Sequence, residues 1–183
     1  AKHRHSLRPP GGRKMIKKLL VAAAFAGAAL LLGSCQKGGL ESDNSAFAAI
    51  DGDYLKTGGD GSNWAMTGFN YDEQRHSPLT QINDGNVKDL GIAWFADLPD
   101  ARGQEATPVV VDGKMFVSTA WSKVFSYDAK TGKPLWSFDP KVDKARGVKA
   151  CCDVVNRGVA FWKGSVFVGT IDGRLISLDA STG

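Results

Sequence analysis

From residue 107 onward, apolar and polar residues alternate in short runs separated by Asp-Gly, Lys-Gly and Thr-Gly pairs. A period of two broken by turn residues is the pattern of half-buried strands. Thr107–Val111 and Lys114–Thr119 flank Asp112-Gly113, a pair suited to a two-residue hairpin because glycine supplies positive φ. Lys123–Tyr127 reads as a third strand, 128–132 as a turn, and Pro134–Phe138 as a fourth strand carrying Trp136. Upstream, Leu90–Trp94 reads as a short apolar strand ending in tryptophan. No stretch of helical period follows residue 60, so this part of the chain is predicted to be all-β.

The pattern repeats. Residues 111–119 (VDGKMFVST) match 162–170 (WKGSVFVGT), and 126–132 (SYDAKTG) match 177–183 (SLDASTG), each at an offset of 51. One offset kept at separated points marks a structural repeat, and four short antiparallel strands per period of about 50 describe a propeller blade. The second copy reaches Gly183, four residues short of position 187, where its tryptophan is expected. Roughly two blades plus a lead-in segment are therefore expected here.

The first sixty residues differ. Residues 1–14 are polar and aperiodic and read as an upstream or disordered leader. Met15, Lys17 and Lys18 open residues 15–34, and Leu19 to Leu32 is an uncharged apolar run, short for a bilayer span and suited to a secretion signal. It ends Leu-Gly-Ser-Cys35, like a bacterial lipobox whose cysteine is lipidated after cleavage; ordinary signal cleavage is the alternative. A periplasmic location, with Cys35 as a lipid anchor to the membrane, is the expectation. Residues 35–62, rich in Gly, Ser and Asp, read as a flexible tether leading into the propeller of residues 63–183. Asp51 and Asp53 suggest a calcium loop, but Lys56 stands where that motif needs glycine.

Charge alters the picture little. The net +4 comes from seven basic residues within positions 1–18; without them sixteen basic residues face nineteen acidic ones, a net of −3. A mildly acidic chain without a basic cluster argues against nucleic-acid binding. No GxSxG, P-loop, HExxH or dinucleotide fingerprint occurs. His76, alone after the leader, reads as a loop residue rather than a catalyst.

Chemistry concentrates in Cys151-Cys152-Asp153-Val154-Val155-Asn156-Arg157-Gly158. Adjacent cysteines are two buried thiols, half of a metal site, or a strained vicinal disulfide; no second cysteine pair and no nearby histidine completes a zinc site. Subtracting one repeat from Asn156 and Arg157 gives Glu105 and Ala106, so both segments precede the first strand of successive blades, near a propeller's central axis.

This octapeptide resembles the vicinal-cysteine segment of the quinoprotein alcohol dehydrogenases, which use pyrroloquinoline quinone (PQQ). Ser126-x-Asp128-Ala-x-Thr-Gly132-Lys-x-Leu-Trp136 resembles the tryptophan-docking motif of their propeller, where alanine usually replaces Ser126, and residues 103–108 (GQEATP) resemble the segment whose glutamate contacts the cofactor. The resemblance implies an eight-bladed propeller, incomplete here. It also implies alcohol oxidation to aldehyde by hydride transfer to a PQQ carbonyl, with calcium as Lewis acid. Glu105, Cys151, Cys152 and Arg157 would then bind the cofactor. Arg157 would pair with a carboxylate, Glu105 would supply an edge-on hydrogen bond to the cofactor and steer Arg157, and a Cys151–Cys152 disulfide would cover one face. The family's calcium ligands and catalytic base come from later blades, so no metal or catalytic residue is assigned here. A small alcohol is the implied substrate, and a cytochrome c or a quinone the implied electron acceptor. The Arg102–Pro108 wording leans toward the quinohaemoprotein branch, which appends a cytochrome c domain, although no CxxCH haem site is present. The competing reading is a non-catalytic propeller lipoprotein that scaffolds outer-membrane assembly; the adjacent cysteines argue against it.

Overall fold

The alternation in residues 109–138 folds into an antiparallel meander. Strands β1 (Val109–Val111), β2 (Lys114–Ser118), β3 (Val124–Asp128) and β4 (Pro134–Phe138) pair in that order. The computed structural model describes residues 45–183. The expected leader, the secretion signal, Cys35 and residues 36–44 lie outside the described residues. One repeat on, β6 (Ala160–Trp162), β7 (Ser165–Gly169) and β8 (Leu175–Asp179) form a second antiparallel sheet. The registers repeat as well: Val109 faces Phe116, and Ala160 faces Phe167. Between the two sheets in chain order comes the short β5 (Cys151–Val154).

Turn chemistry sets these registers. Asp112-Gly113 has φ of 49° and 67°, and Lys163-Gly164 has 45° and 83°. Two positive φ values in succession give the turn whose twist matches flanking antiparallel strands. The outer turns repeat in detail. Asp128 accepts from the Lys130 and Thr131 amides and from the Thr131 hydroxyl, bonds that hold its carboxyl below the usual carboxylate range, the Thr131 hydroxyl most of all. Asp179 likewise accepts from the Ser181 and Thr182 amides and from the Thr182 hydroxyl.

Each outer turn is a tryptophan dock. The Trp136 indole N–H donates to the Ala180 carbonyl at 3.0 Å, and its ring lies against Gly183. The Trp94 indole donates to Ala129 at 3.0 Å and covers Gly132. A Cβ at Gly132 would stand 2.6 Å from the Trp94 ring, and its φ is +74°, so only glycine fits beneath the indole. Trp136 therefore ties the first blade to the second, and Trp94 ties the lead-in to the first blade.

Both sheets share one apolar core, with Val109, Val111, Phe116 and Val124 meeting Phe161, Val166, Val168 and Leu178. Phe116, fully buried, lies 5.6 Å from Phe161, 5.8 Å from Trp136 and 6.4 Å from Phe47 between ring centroids.

Two expectations are corrected. The C-terminal half of the expected tether is ordered: α1 (Ser45–Ala48) and α2 (Gly52–Thr57) form, and Phe47 and Ile50 are buried in the shared core. Asp51 caps α2 by accepting from the Asp53 and Tyr54 amides, which accounts for the pair of aspartates without a cation. The small polar residues concealed two core anchors. Leu90–Trp94, expected as a strand, has no ladder partner among the described residues. Ile92 and Phe95 are 87% and 81% exposed, and Trp94 is held by its indole.

Ser126, the departure from the usual alanine, is fully buried, and its hydroxyl has no hydrogen-bond partner. An orphaned buried hydroxyl costs about 1–3 kcal/mol. We expect Ser126→Ala to raise the denaturation midpoint of the intact protein; an unchanged or lowered midpoint would count against the orphaned-hydroxyl reading.

Candidate functional site

The two segments preceding the blades run side by side. The Thr107 amide donates to the Arg157 carbonyl at 3.4 Å, and Thr107 bridges Gly158 in parallel. Close approach depends on missing side chains: a Cβ on Gly158 would stand 3.1 Å from the Thr107 carbonyl, and one on Gly103 would stand 3.1 Å from Val155.

This contact brings Glu105 and Arg157 together, with Glu105 Oε2 3.2 Å from Arg157 Nε. The Arg157 guanidinium also favours the charged form of the Cys152 thiol. The Cys151 and Cys152 sulfurs are 2.7 Å apart, and both are exposed free thiols. Cys151 raises the Cys152 thiol above its ordinary value, because a thiolate forms poorly beside another sulfur; Arg157 opposes this from the other side. No cis peptide occurs at the pair, and the backbone strain falls on the next residue, Asp153, with φ 67°. Aspartate is among the few residues that tolerate that conformation.

Asn156 fixes Arg157 in place. Its amide oxygen accepts from the Ser118 hydroxyl at 2.6 Å and from the Gly158 amide at 3.1 Å. Its amide nitrogen donates to the Gly169 carbonyl at 2.9 Å and the Ser122 hydroxyl at 3.3 Å. Ser118 and Gly169 end β2 and β7, so one side chain joins both blades beside Arg157. Gln104 donates to the Ser118 carbonyl at 2.8 Å, holding the neighbour of Glu105 to the same strand end.

A depression of about 450 Å³ opens beside these residues, lined in part by Thr67, Asn156, Arg157, Phe167 and Gly169. That lies within the usual range of small-molecule sites. His76 lines a different depression with Gln74 and Pro78. Among the described residues no three metal-ligating side chains converge, and no helix is long and apolar enough to cross a membrane.

The structure thus gathers Glu105, Cys151, Cys152 and Arg157, the four residues chosen from sequence. Sequence reasoning placed Asn156 in the site segment without a role, and it missed Gln104 and an Arg102–Asp153 pair. The last was accessible, since Arg102 and Asp153 have opposite charges at positions one repeat apart.

Known proteins are similar to this chain. The chain is 50% identical over 165 residues to a quinohemoprotein alcohol dehydrogenase of Comamonas testosteroni, covering 90% of this chain and 23% of that protein. It is 52% identical over 123 residues to a 1-butanol dehydrogenase (cytochrome c) of Thauera butanivorans, covering 67% of this chain and 18% of that one. The crystal structure of the Comamonas testosteroni quinohemoprotein alcohol dehydrogenase superposes with a TM-score of 0.73 at 53% identity, over 76% of this chain and 21% of that one. The chain spans less than a quarter of the length of these relatives. Residues 64–183 match the PQQ-type β-propeller domain of glucose, ethanol and alcohol dehydrogenases, and the chain belongs to that family.

Proposed function

We propose that this chain supplies part of the cofactor site of a periplasmic PQQ-dependent alcohol dehydrogenase, and that the intact protein oxidises small alcohols to aldehydes. The observation that carries the reading is the Glu105–Arg157 ion pair beside the adjacent thiols. PQQ is a flat ortho-quinone with three carboxylates, and the residues suit it. An arginine has five donors in a fixed fork; Glu105 occupies only part of that capacity in a side chain 73% exposed. Arg157 would hold a carboxylate in bidentate fashion, Glu105 would orient that fork, and the sulfurs would offer an uncharged surface to the ring. When bound, PQQ supplies the two-electron acceptor for the hydride of the alcohol, with calcium polarising its carbonyl. The calcium ligands and the catalytic base are expected outside residues 45–183.

The names of the relatives support the remaining partners: a cytochrome c acceptor, and haem c in an appended domain if this protein follows the quinohaemoprotein pattern. The reading is tested by titrating PQQ into the cofactor-free intact protein and following protein fluorescence. Saturable binding, followed by alcohol-dependent dye reduction, is expected. No binding would leave the scaffold reading in its place.

The thiol pair is proposed to close to a vicinal disulfide in the periplasm. Two thiols would lose two electrons and two protons to an oxidised dithiol partner by exchange. Thiol counts on denatured protein isolated from cells should rise by two after reduction. Two thiols alkylatable before reduction would sink both the disulfide and the oxidising compartment. Lipidation of Cys35, the proposed membrane anchor, would appear as added acyl mass on the mature N-terminus; its absence would leave a soluble form.

A further inference from the structure

Arg102 lies three residues before Glu105, and Asp153 directly follows Cys152. The Arg102 guanidinium grips the Asp153 carboxylate through two nitrogens: Nε donates to Oδ2 at 2.9 Å and an Nη donates to Oδ1. The two positions are equivalent in successive repeats, so the pair runs straight across between neighbouring blades. Glu105–Arg157 crosses the same gap with the charges reversed. One segment carries plus then minus, and the other carries minus then plus.

We propose that Arg102 is a positioning residue for the cofactor site, acting through Asp153 to set the height and register of Cys151-Cys152 against Glu105 and Arg157. The inference rests on the PQQ reading above. Asn156 and Gln104 tie both segments to Ser118, and Arg102–Asp153 adds a tie nearer the thiol pair. The segments share one long backbone hydrogen bond, and two glycines bring them close without fixing where one stops along the other. A slip of one residue toward the thiols would pair Arg102 with Cys152 and leave Glu105 opposite Val155. Arg102 and Asp153 stand straight across in the native register, so a slip in either direction loses that pair. Asp153 also occupies the left-handed conformation that ends the cysteine pair, so holding its carboxylate holds the turn. The Arg102 guanidinium holds the Asp153 carboxyl below the usual carboxylate range.

Both partners are partly exposed, 51% and 32%, and such pairs add little to global stability. Their effect should therefore appear in cofactor binding rather than in the melting temperature. The test uses the cofactor-free intact protein and three variants: Arg102→Gln, Asp153→Asn and the double substitution. Each single change is expected to weaken PQQ binding about ten-fold and to speed reaction of the reduced thiols with an aromatic disulfide reagent. Thermal midpoints should stay within about 2 °C. The double variant should bind no more weakly than either single one, since both remove the same contact. Arg102→Lys, which keeps charge but not the fork, should recover part of the loss. Unchanged affinity in the singles, or losses that add in the double, would overturn the positioning role while wild-type binding keeps the PQQ reading intact. Failure of the wild type to bind would defeat the PQQ reading itself.

Discussion

Arg157→Ala in the intact protein is expected to weaken PQQ binding about a hundred-fold or more, the largest functional effect of any single change in this chain. The guanidinium is open to solvent without cofactor, with Glu105 on Nε. Binding a tricarboxylate over it would bury that charge pair. Truncating one member of a desolvated, hydrogen-bonded ion pair costs about 2–5 kcal/mol, and 1.4 kcal/mol is ten-fold. Loss of the side chain also leaves Glu105 facing the carboxylates of the cofactor with no cation between them, so repulsion adds to the lost contact. Arg157→Lys should recover only part of the affinity, because a point charge does not reproduce a bidentate fork. Asn156 anchors the backbone at this position through four hydrogen bonds of its own, so the fold should tolerate the change. Equilibrium titration of cofactor-free protein gives the affinity directly. An affinity within three-fold of wild type would remove Arg157 from the cofactor site.

Phe116→Ala should have the largest structural effect. Its ring is fully buried and is shared by every layer of this region: Phe47 from α1, Phe161 from β6 and Trp136 from β4. Replacing a buried phenylalanine by alanine costs about 3–5 kcal/mol, combining lost transfer energy with the cavity left behind. Neighbours held in β ladders cannot collapse into that cavity, which argues for the upper part of the range. Native stabilities are about 5–15 kcal/mol, so the loss is a large fraction of the whole. Denaturant unfolding of the intact protein should show a lower midpoint at an unchanged slope. Trp136 fluorescence should report loosening of its dock. A shift below about 1 kcal/mol would show that Phe116 does not bridge the layers. Phe116→Leu, which retains most of the volume, should cost much less.

The two predictions separate the roles of neighbouring parts of the fold. Phe116 lies between the sheets and does not line the depression beside Arg157. Arg157 sits in the segment before β6 and takes no part in the apolar core. A change in PQQ affinity with an unchanged midpoint, and the reverse, would therefore come from different residues.

Much of this was legible in the sequence because strands and tight turns are local. Asp112-Gly113 and Lys163-Gly164 fix their hairpins within two residues, and Asp128 caps its turn with atoms three residues away. The 51-residue offset then fixed which positions are equivalent, and it pointed to residues 105 and 156–157 as neighbours of a shared site. The residue types at these positions carried the chemistry.

Other features depended on partners distant in the chain. Nothing within residues 45–50 announces that Phe47 and Ile50 belong to the core, because their partners are Phe116 and Phe161, more than sixty residues on. Leu90–Trp94 has the composition of a strand but no ladder partner among the described residues, and composition supplies no partner. The hydroxyl of Ser126 is orphaned only because the sheets close over it. The crossed pairs Arg102–Asp153 and Glu105–Arg157 form only when successive blades stand side by side. The sequence by itself determined the repeat, the turns and the identity of the charged residues; the tertiary structure decided which charges meet, because that depends on the spacing between blades, a distance no local pattern encodes.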